Sequence, residues 1–162
     1  MKSIIHLKTA TPSLLITLLL GCLGLLPNAH AVSPAPDGGY PGGNTAEGQN
    51  ALLSRTTGAF NTATGGAALV SNTTGGGNTA TGVLALSSNT AGVTNTAVGF
   101  VALRNNTADN NTAIGASALS ANTTGTGNTA SGFSALANNV GNSNTASGAG
   151  ALGSNTDRKS VV

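Results

Sequence analysis

The groups in this 162-residue chain best suited to nucleophilic, acid–base or metal chemistry are two histidines (His6 and His30), one cysteine (Cys22), four acidic and six basic side chains. Their spacing builds no site. A catalytic nucleophile needs a base held beside it, and both histidines and the cysteine fall within the first 31 residues. Zinc takes a cluster of Cys, His or carboxylate ligands. Repeat-type calcium sites take an Asp in every copy, and between Asp37 and Asp157 only Asp109 is available. Paired-carboxylate hydrolysis requires two acids in one site, whereas Glu47 and Asp109 stand nearly four repeats apart. Gly75-Gly76-Gly77 lacks the Gly-Lys-Ser/Thr that completes a phosphate loop. The match Gly125-x-Gly127-x-x-Ala130 to a dinucleotide motif is weak, and the repeat described below accounts for it. The sequence therefore predicts neither an enzyme nor a metal or cofactor site.

Residues 1–31 form a separate object. Lys2 and Lys8 give a positive start, and residues 14–26 are apolar except for Thr17, Gly21, Cys22 and Gly24. Pro27 ends the run, and Ala29-His30-Ala31 is a small-x-small cleavage site. This is the grammar of a secretory signal peptide, cut between Ala31 and Val32; the apolar run is short for a membrane span. A rival reading takes Leu19-Leu20-Gly21-Cys22 as a lipoprotein site with Cys22 acylated. Leu23-Gly24-Leu25-Leu26 then stays apolar where a lipoprotein turns polar.

Export changes the charge balance. Residues 32–162 hold Asp37, Glu47, Asp109 and Asp157 against Arg55, Arg104, Arg158 and Lys159, a formal charge of zero. Such a chain cannot neutralise a row of phosphates, which argues against nucleic acid as a partner. No cysteine remains for a disulfide, and no membrane span is expected in the mature chain. Few large apolar residues remain, so a disordered low-complexity chain is the bland alternative; the high net charge that usually accompanies disorder is missing.

What does recur is a phrase, Asn-Thr-Ala-x-Gly-x-x-Ala-Leu, beginning at Asn44, Asn61, Asn78, Asn95, Asn111, Asn128 and Asn144, at spacings of 17, 17, 17, 16, 17 and 16 residues. A fixed short period means a stacked repeat architecture. With the first Asn as position 0, Ala holds position 2 in all seven copies: Ala46, Ala63, Ala80, Ala97, Ala113, Ala130 and Ala146. Gly holds position 4, Ala position 7, and Leu position 8: Leu52, Leu69, Leu86, Leu103, Leu119, Leu136 and Leu152. Positions 3 and 5 drift; a site free to face water should wander, and the four constant positions do not.

A helix is disfavoured because glycines at position 4 and near position 14 leave segments too short to stand alone. The reading is an all-β parallel β-solenoid of about seven 16–17-residue coils, following a cleaved N-terminal signal helix. Within each coil it places one strand over positions 0–4, a second over about 5–9, and a turn built on Asn-Thr-Thr-Gly. The two one-residue deletions fall at residues 105–110 and 138–143, inside that turn, where they cannot flip a strand's faces. Stacked at roughly 4.8 Å per coil, seven coils make a body about 34 Å long. Asn columns then form amide ladders. If Leu at position 8 points inward, strand alternation sends Ala at position 7 outward, and a constant outward Ala suggests packing against sister chains. The domain reading is signal 1–31; a Pro/Gly-rich leader 32–43 with neither helix nor sheet; repeats 44–156; and an irregular tail 157–162, read either as a fragment end or as the end of a released head. Phe100, Phe133 and Val83 share position 5 and are expected to fill core partially. Arg104 and Asp109 are expected in a solvated turn. Asn72 and Asn122 head glycosylation sequons.

Asn95-Thr-Ala-Val-Gly99 and Asn111-Thr-Ala-Ile-Gly115 resemble the YadA-like head repeats of trimeric autotransporter adhesins, over residues 44–156. The resemblance implies a left-handed parallel β-roll, three chains side by side, and adhesion to host or matrix molecules from a secreted or bacterial cell-surface location. The period here is longer than that of the usual head repeat, and no heptads or barrel strands follow. The expected function is an exported structural and adhesive module. The competing readings are a non-binding spacer in a larger surface or tail-like fibre, and an ice-binding solenoid. For ice binding, Thr at position 1 supplies one column, but only Thr64 and Thr81 begin a second.

Overall fold

The computed structural model describes residues 39–155. The signal segment with its cleavage site at Ala31 and Val32, most of the leader and the tail at 157–162 lie outside the described residues. Each repeat contributes one short strand: β2 (Asn44–Glu47), β3 (Thr62–Thr64), β4 (Thr79–Thr81), β5 (Thr96–Val98), β6 (Thr112–Ile114), β7 (Thr129–Ser131) and β8 (Thr145–Ser147). These lie parallel in sequence order in one sheet, with like residues in register, such as Ala46↔Ala63 and Ala80↔Ala97. Seven parallel strands and about six turns between them make an all-β solenoid.

The strand is short because Gly at position 4 ends it. That glycine has φ between 123° and 137° in every coil, a region closed to other residues. It also lies directly under the backbone above: a Cβ on Gly65 would stand 2.7 Å from the carbonyl carbon of Gly82. Two successive turns follow. Ala51 N–H donates to Gly48 O at 3.2 Å, closing positions 4–7, and Asn72 N–H donates to Leu69 O at 3.0 Å, closing positions 8–11. Turn amides also bond from coil to coil, as in Leu69 N–H to Ala85 O at 3.0 Å.

The expected second strand over positions 5–9 is therefore absent, and with it the alternation that sent Ala at position 7 outward. Positions 6 and 8 both have positive φ in every coil, the seven leucines between 50° and 52°. The left-handed residues on either side of it turn Ala at position 7 inward beside Leu. Ala68, Ala85, Ala102, Ala118 and Ala135 are fully buried, as are Leu69, Leu86, Leu103, Leu119 and Leu136. Left-handed φ costs a non-glycine residue about 1–2 kcal/mol, and full burial of a leucine side chain contributes about 1.5–3 kcal/mol. Burial wins, which is why this conformationally awkward position is Leu and not Gly or Asn. Ala at position 2 completes the core, with Ala46 through Ala146 all buried.

The remaining core is polar. Asn61 donates to Asn44 Oδ1 through both its backbone N–H (2.8 Å) and its Nδ2 (3.0 Å), and its Nδ2 donates again to Gly75 O at 2.8 Å. Asn78 repeats this arrangement on Asn61 Oδ1 and Gly92 O. A second Asn column stands at position 11, where Asn89 Nδ2 reaches Asn72 Oδ1 at 2.9 Å and Gly92 O at 3.0 Å. The position-14 carbonyl thus accepts from both columns and ties them together. These asparagines are buried with their donors satisfied, the condition under which a buried polar group does not cost stability.

The leader differs from expectation at its end. Gly39–Tyr40 form β1, which pairs antiparallel with β2 through the turn at Pro41, Gly42 and Gly43. Tyr40 is half-buried against the core. The reversal covers the open edge of the first coil, a device that keeps sheet edges from recruiting other strands.

Two outcomes test these constraints. Gly65→Ala combines forbidden φ with backbone overlap and should cost about 3 kcal/mol or more. Gly148→Ala has similar φ but meets only Ala151 Cβ at 3.9 Å, and should cost clearly less in the same urea titration. Asn78→Asp puts an acceptor where Nδ2 now donates. Burial among acceptors raises the folded pKa of that new carboxyl above its unfolded value. Stability should then fall as pH rises through the unfolded value, near ~3.9. Denaturation at pH 3 and pH 7 should show a deficit of about 3–5 kcal/mol relative to the parent at pH 7, and a much smaller one at pH 3.

Candidate interaction surface

With Ala at position 2 pointing inward, positions 1, 3 and 5 point outward. The strand burial patterns alternate accordingly, buried only at the central Ala in β4 through β8. Position 1 is an unbroken Thr column, in register from Thr45 to Thr145. Position 3 runs Glu47, Thr64, Thr81, Val98, Ile114, Ser131 and Ser147, with Val98 and Ile114 register partners. Position 5 is aligned by backbone bonds from the next coil, Val101 N–H to Val83 O at 3.0 Å and Ser117 N–H to Phe100 O at 2.9 Å.

This alignment gathers apolar side chains that core filling would have hidden. Phe100 is 57% exposed, Phe133 63% and Val83 49%. With Val98 and Ile114, also exposed, they make an apolar stretch across the third to sixth coils, flanked by Thr64 and Gly66 of the second coil and by Ser147 and Ala149 of the seventh. Glu47 is the only ionisable residue in these three columns among the described residues. Exposed apolar residues gathered on one face mark contact surfaces more often than isolated ones do. The expectation of partial core filling at position 5 is thus overturned: outward alternation from the strand continues through Gly at position 4.

The constant Ala and Leu columns sit on the opposite side of the wall. The position-2 alanines and the position-8 leucines line the interior; Leu152, in the last coil, is half-buried. On the turn side, Arg104 is exposed, while Asp109 is half-buried and accepts from Val93 N–H at 2.8 Å. The sequon asparagines Asn72 and Asn122 are buried ladder members, closed to modification in the folded chain. Among the described residues no group of three or more His, Cys, Asp or Glu could hold a metal ion, and no helix is long and apolar enough to cross a membrane. No known family profile matches the chain, and neither the curated proteins nor the solved structures searched give a match.

Proposed function

We propose that the chain is an exported, non-catalytic structural and adhesive module that acts through its outward sheet face. The observation that carries this reading is the apolar stretch of Val83, Val98, Phe100, Ile114 and Phe133 on a rigid, nearly uncharged face. The same face replaces the position-7 alanines as the contact for self-association into a homotrimer. Host or matrix surface molecules are the external partners in this reading, and the resemblance to adhesin head repeats adds to it. Secretion or display on a bacterial surface follows from the signal-like segment 1–31. The ice-binding alternative lacks support on this face: positions 1 and 3 both point outward, and position 3 is Thr only at Thr64 and Thr81.

The test pairs sedimentation of the mature chain with its binding to immobilised collagen, to fibronectin and to cultured cells. The parent is expected to sediment as a trimer and to bind at least one of these surfaces. Phe100→Ser with Phe133→Ser should keep the circular dichroism spectrum and stability within about 0.5 kcal/mol, since both side chains are exposed. It should weaken assembly or binding tenfold or more, as loss of an aromatic anchor does. A parent that stays monomeric and binds nothing removes the adhesive reading in favour of the spacer.

A further inference from the structure

We infer that the solenoid contains a built-in opening seam between the coils that begin at Asn78 and Asn95. The sheet side is continuous across it and acts as the hinge line; the turn side is where it opens. Between two 17-residue coils the turn is closed by converging amides. Thr56, Thr57 and Gly58 all donate to Thr73 O at 3.0–3.1 Å, and Thr73, Thr74 and Gly75 all donate to Thr90 O at 2.9–3.4 Å. The hydroxyls of Thr56 and Thr73 add to the same two carbonyls at 3.0 Å.

The coil beginning at Asn95 is one residue short. Asn95 and Asn106 both donate to Ala108 O, the role played by the position-14 glycine elsewhere. The missing residue is therefore the one between Thr107 and Ala108. Among the described residues no backbone bonds equivalent to those above join Thr90, Ala91 or Gly92 to this coil. One backbone bond, Asn110 N–H to Val93 O at 3.0 Å, and two side chains substitute in part: Asp109 Oδ1 accepts from Val93 N–H at 2.8 Å, and Thr94 Oγ1 pairs with Asn110 Oδ1.

The interior is weakened at the same level: the first Asn column crosses intact, with Asn95 N–H and Nδ2 donating to Asn78 Oδ1 at 2.9 and 3.2 Å, but the second column does not. Asn106 Nδ2 spends its bond on Ala108 O at 2.7 Å and does not reach back, so Asn89 Oδ1 is buried without a partner. The other short coil does not combine both defects. There Asn142 supplies the substitute acceptor for Thr126 N–H, but Asn139 Nδ2 still bonds Asn122 Oδ1 at 3.1 Å. In a repeat stack stability is a sum of nearest-neighbour interface terms, and an unmade bond to a buried acceptor costs more than a made one contributes. The interface that loses both its converging turn amides and one of its two ladder steps is the one that opens first. Meanwhile Thr79↔Thr96, Ala80↔Ala97 and Thr81↔Val98 remain paired. Val83 and Phe100 stand on opposite sides of this seam, so its opening changes the spacing within the exposed apolar stretch.

Native-state hydrogen exchange on the full chain tests this. Leu86 and Ser88 donate across the seam to Ala102 and Arg104 at 3.0 and 2.9 Å; Leu69 and Ser71 make the equivalent bonds one coil earlier to Ala85 and Ser87 at 3.0 and 3.2 Å. The leucine bonds match in length and the Ser88 bond is shorter than that of Ser71, yet Leu86 and Ser88 are expected to exchange at least tenfold faster, with segments 39–94 and 95–155 unfolding as separate units. Equal protection within threefold overturns the seam. Inserting one threonine between Thr107 and Ala108 should slow Leu86 and Ser88 about tenfold. Should that insertion fail to fold, Asp109→Ala decides: it removes the substitute acceptor and should speed Leu86 and Ser88 about fivefold while Leu69 and Ser71 stay unchanged. No difference between the two pairs in that variant also overturns the proposal.

Discussion

Everything in this molecule depends on one coil lying so close to the next that backbone nearly touches backbone. Glycine at position 4 permits that approach on one side, where a Cβ on Gly82 would stand 2.5 Å from Gly99 O. Glycine at position 14 permits it on another, where a Cβ on Gly75 would stand 2.4 Å from both Gly92 O and Asn72 Oδ1. Only at this separation can one asparagine amide reach its copy in the next coil. The ladder, the register of the sheet and the alignment of the outer columns are consequences of that contact.

The sequence announced the stack because the constraint is columnar. A residue that must fit under its own copy cannot drift, so Ala at position 2, Gly at position 4 and Leu at position 8 stayed fixed while positions 3 and 5 wandered. The buried Asn column was legible for the same reason. The conformation of positions 5–9 was not. Nothing in the letters Ala-Leu announces a left-handed leucine, since that state is normally the province of Gly and Asn; it exists here because the core needs the side chain more than the backbone resists the twist. The period-2 assumption failed with it, and Ala at position 7 moved from the surface to the interior. Position 5 could have been read correctly: the parity that buries position 2 exposes 1, 3 and 5. The strand at Gly39–Tyr40 was hidden by local Pro and Gly, because an antiparallel cap is dictated by the edge it covers and not by its own propensity.

The two sides of the wall divide the labour. Inside, two Asn columns and small Ala side chains leave little room for variation, and the chain spends its sequence freedom on the outside. There the Thr column is constant while positions 3 and 5 change from Glu47 and Gln49, through Val98 and Phe100, to Ser147 and Ala149. A repetitive scaffold thereby carries a non-repetitive surface, which is how repeat proteins acquire binding faces.

The make-up of that interior also sets how the fold responds to temperature. Unfolding it would hydrate amide groups and methyls more than large apolar side chains. Apolar exposure raises heat capacity while polar exposure lowers it, so the two contributions oppose each other. The free-energy curve of such a coil stack should therefore be shallower than that of an equally long chain whose core is built from large apolar side chains alone.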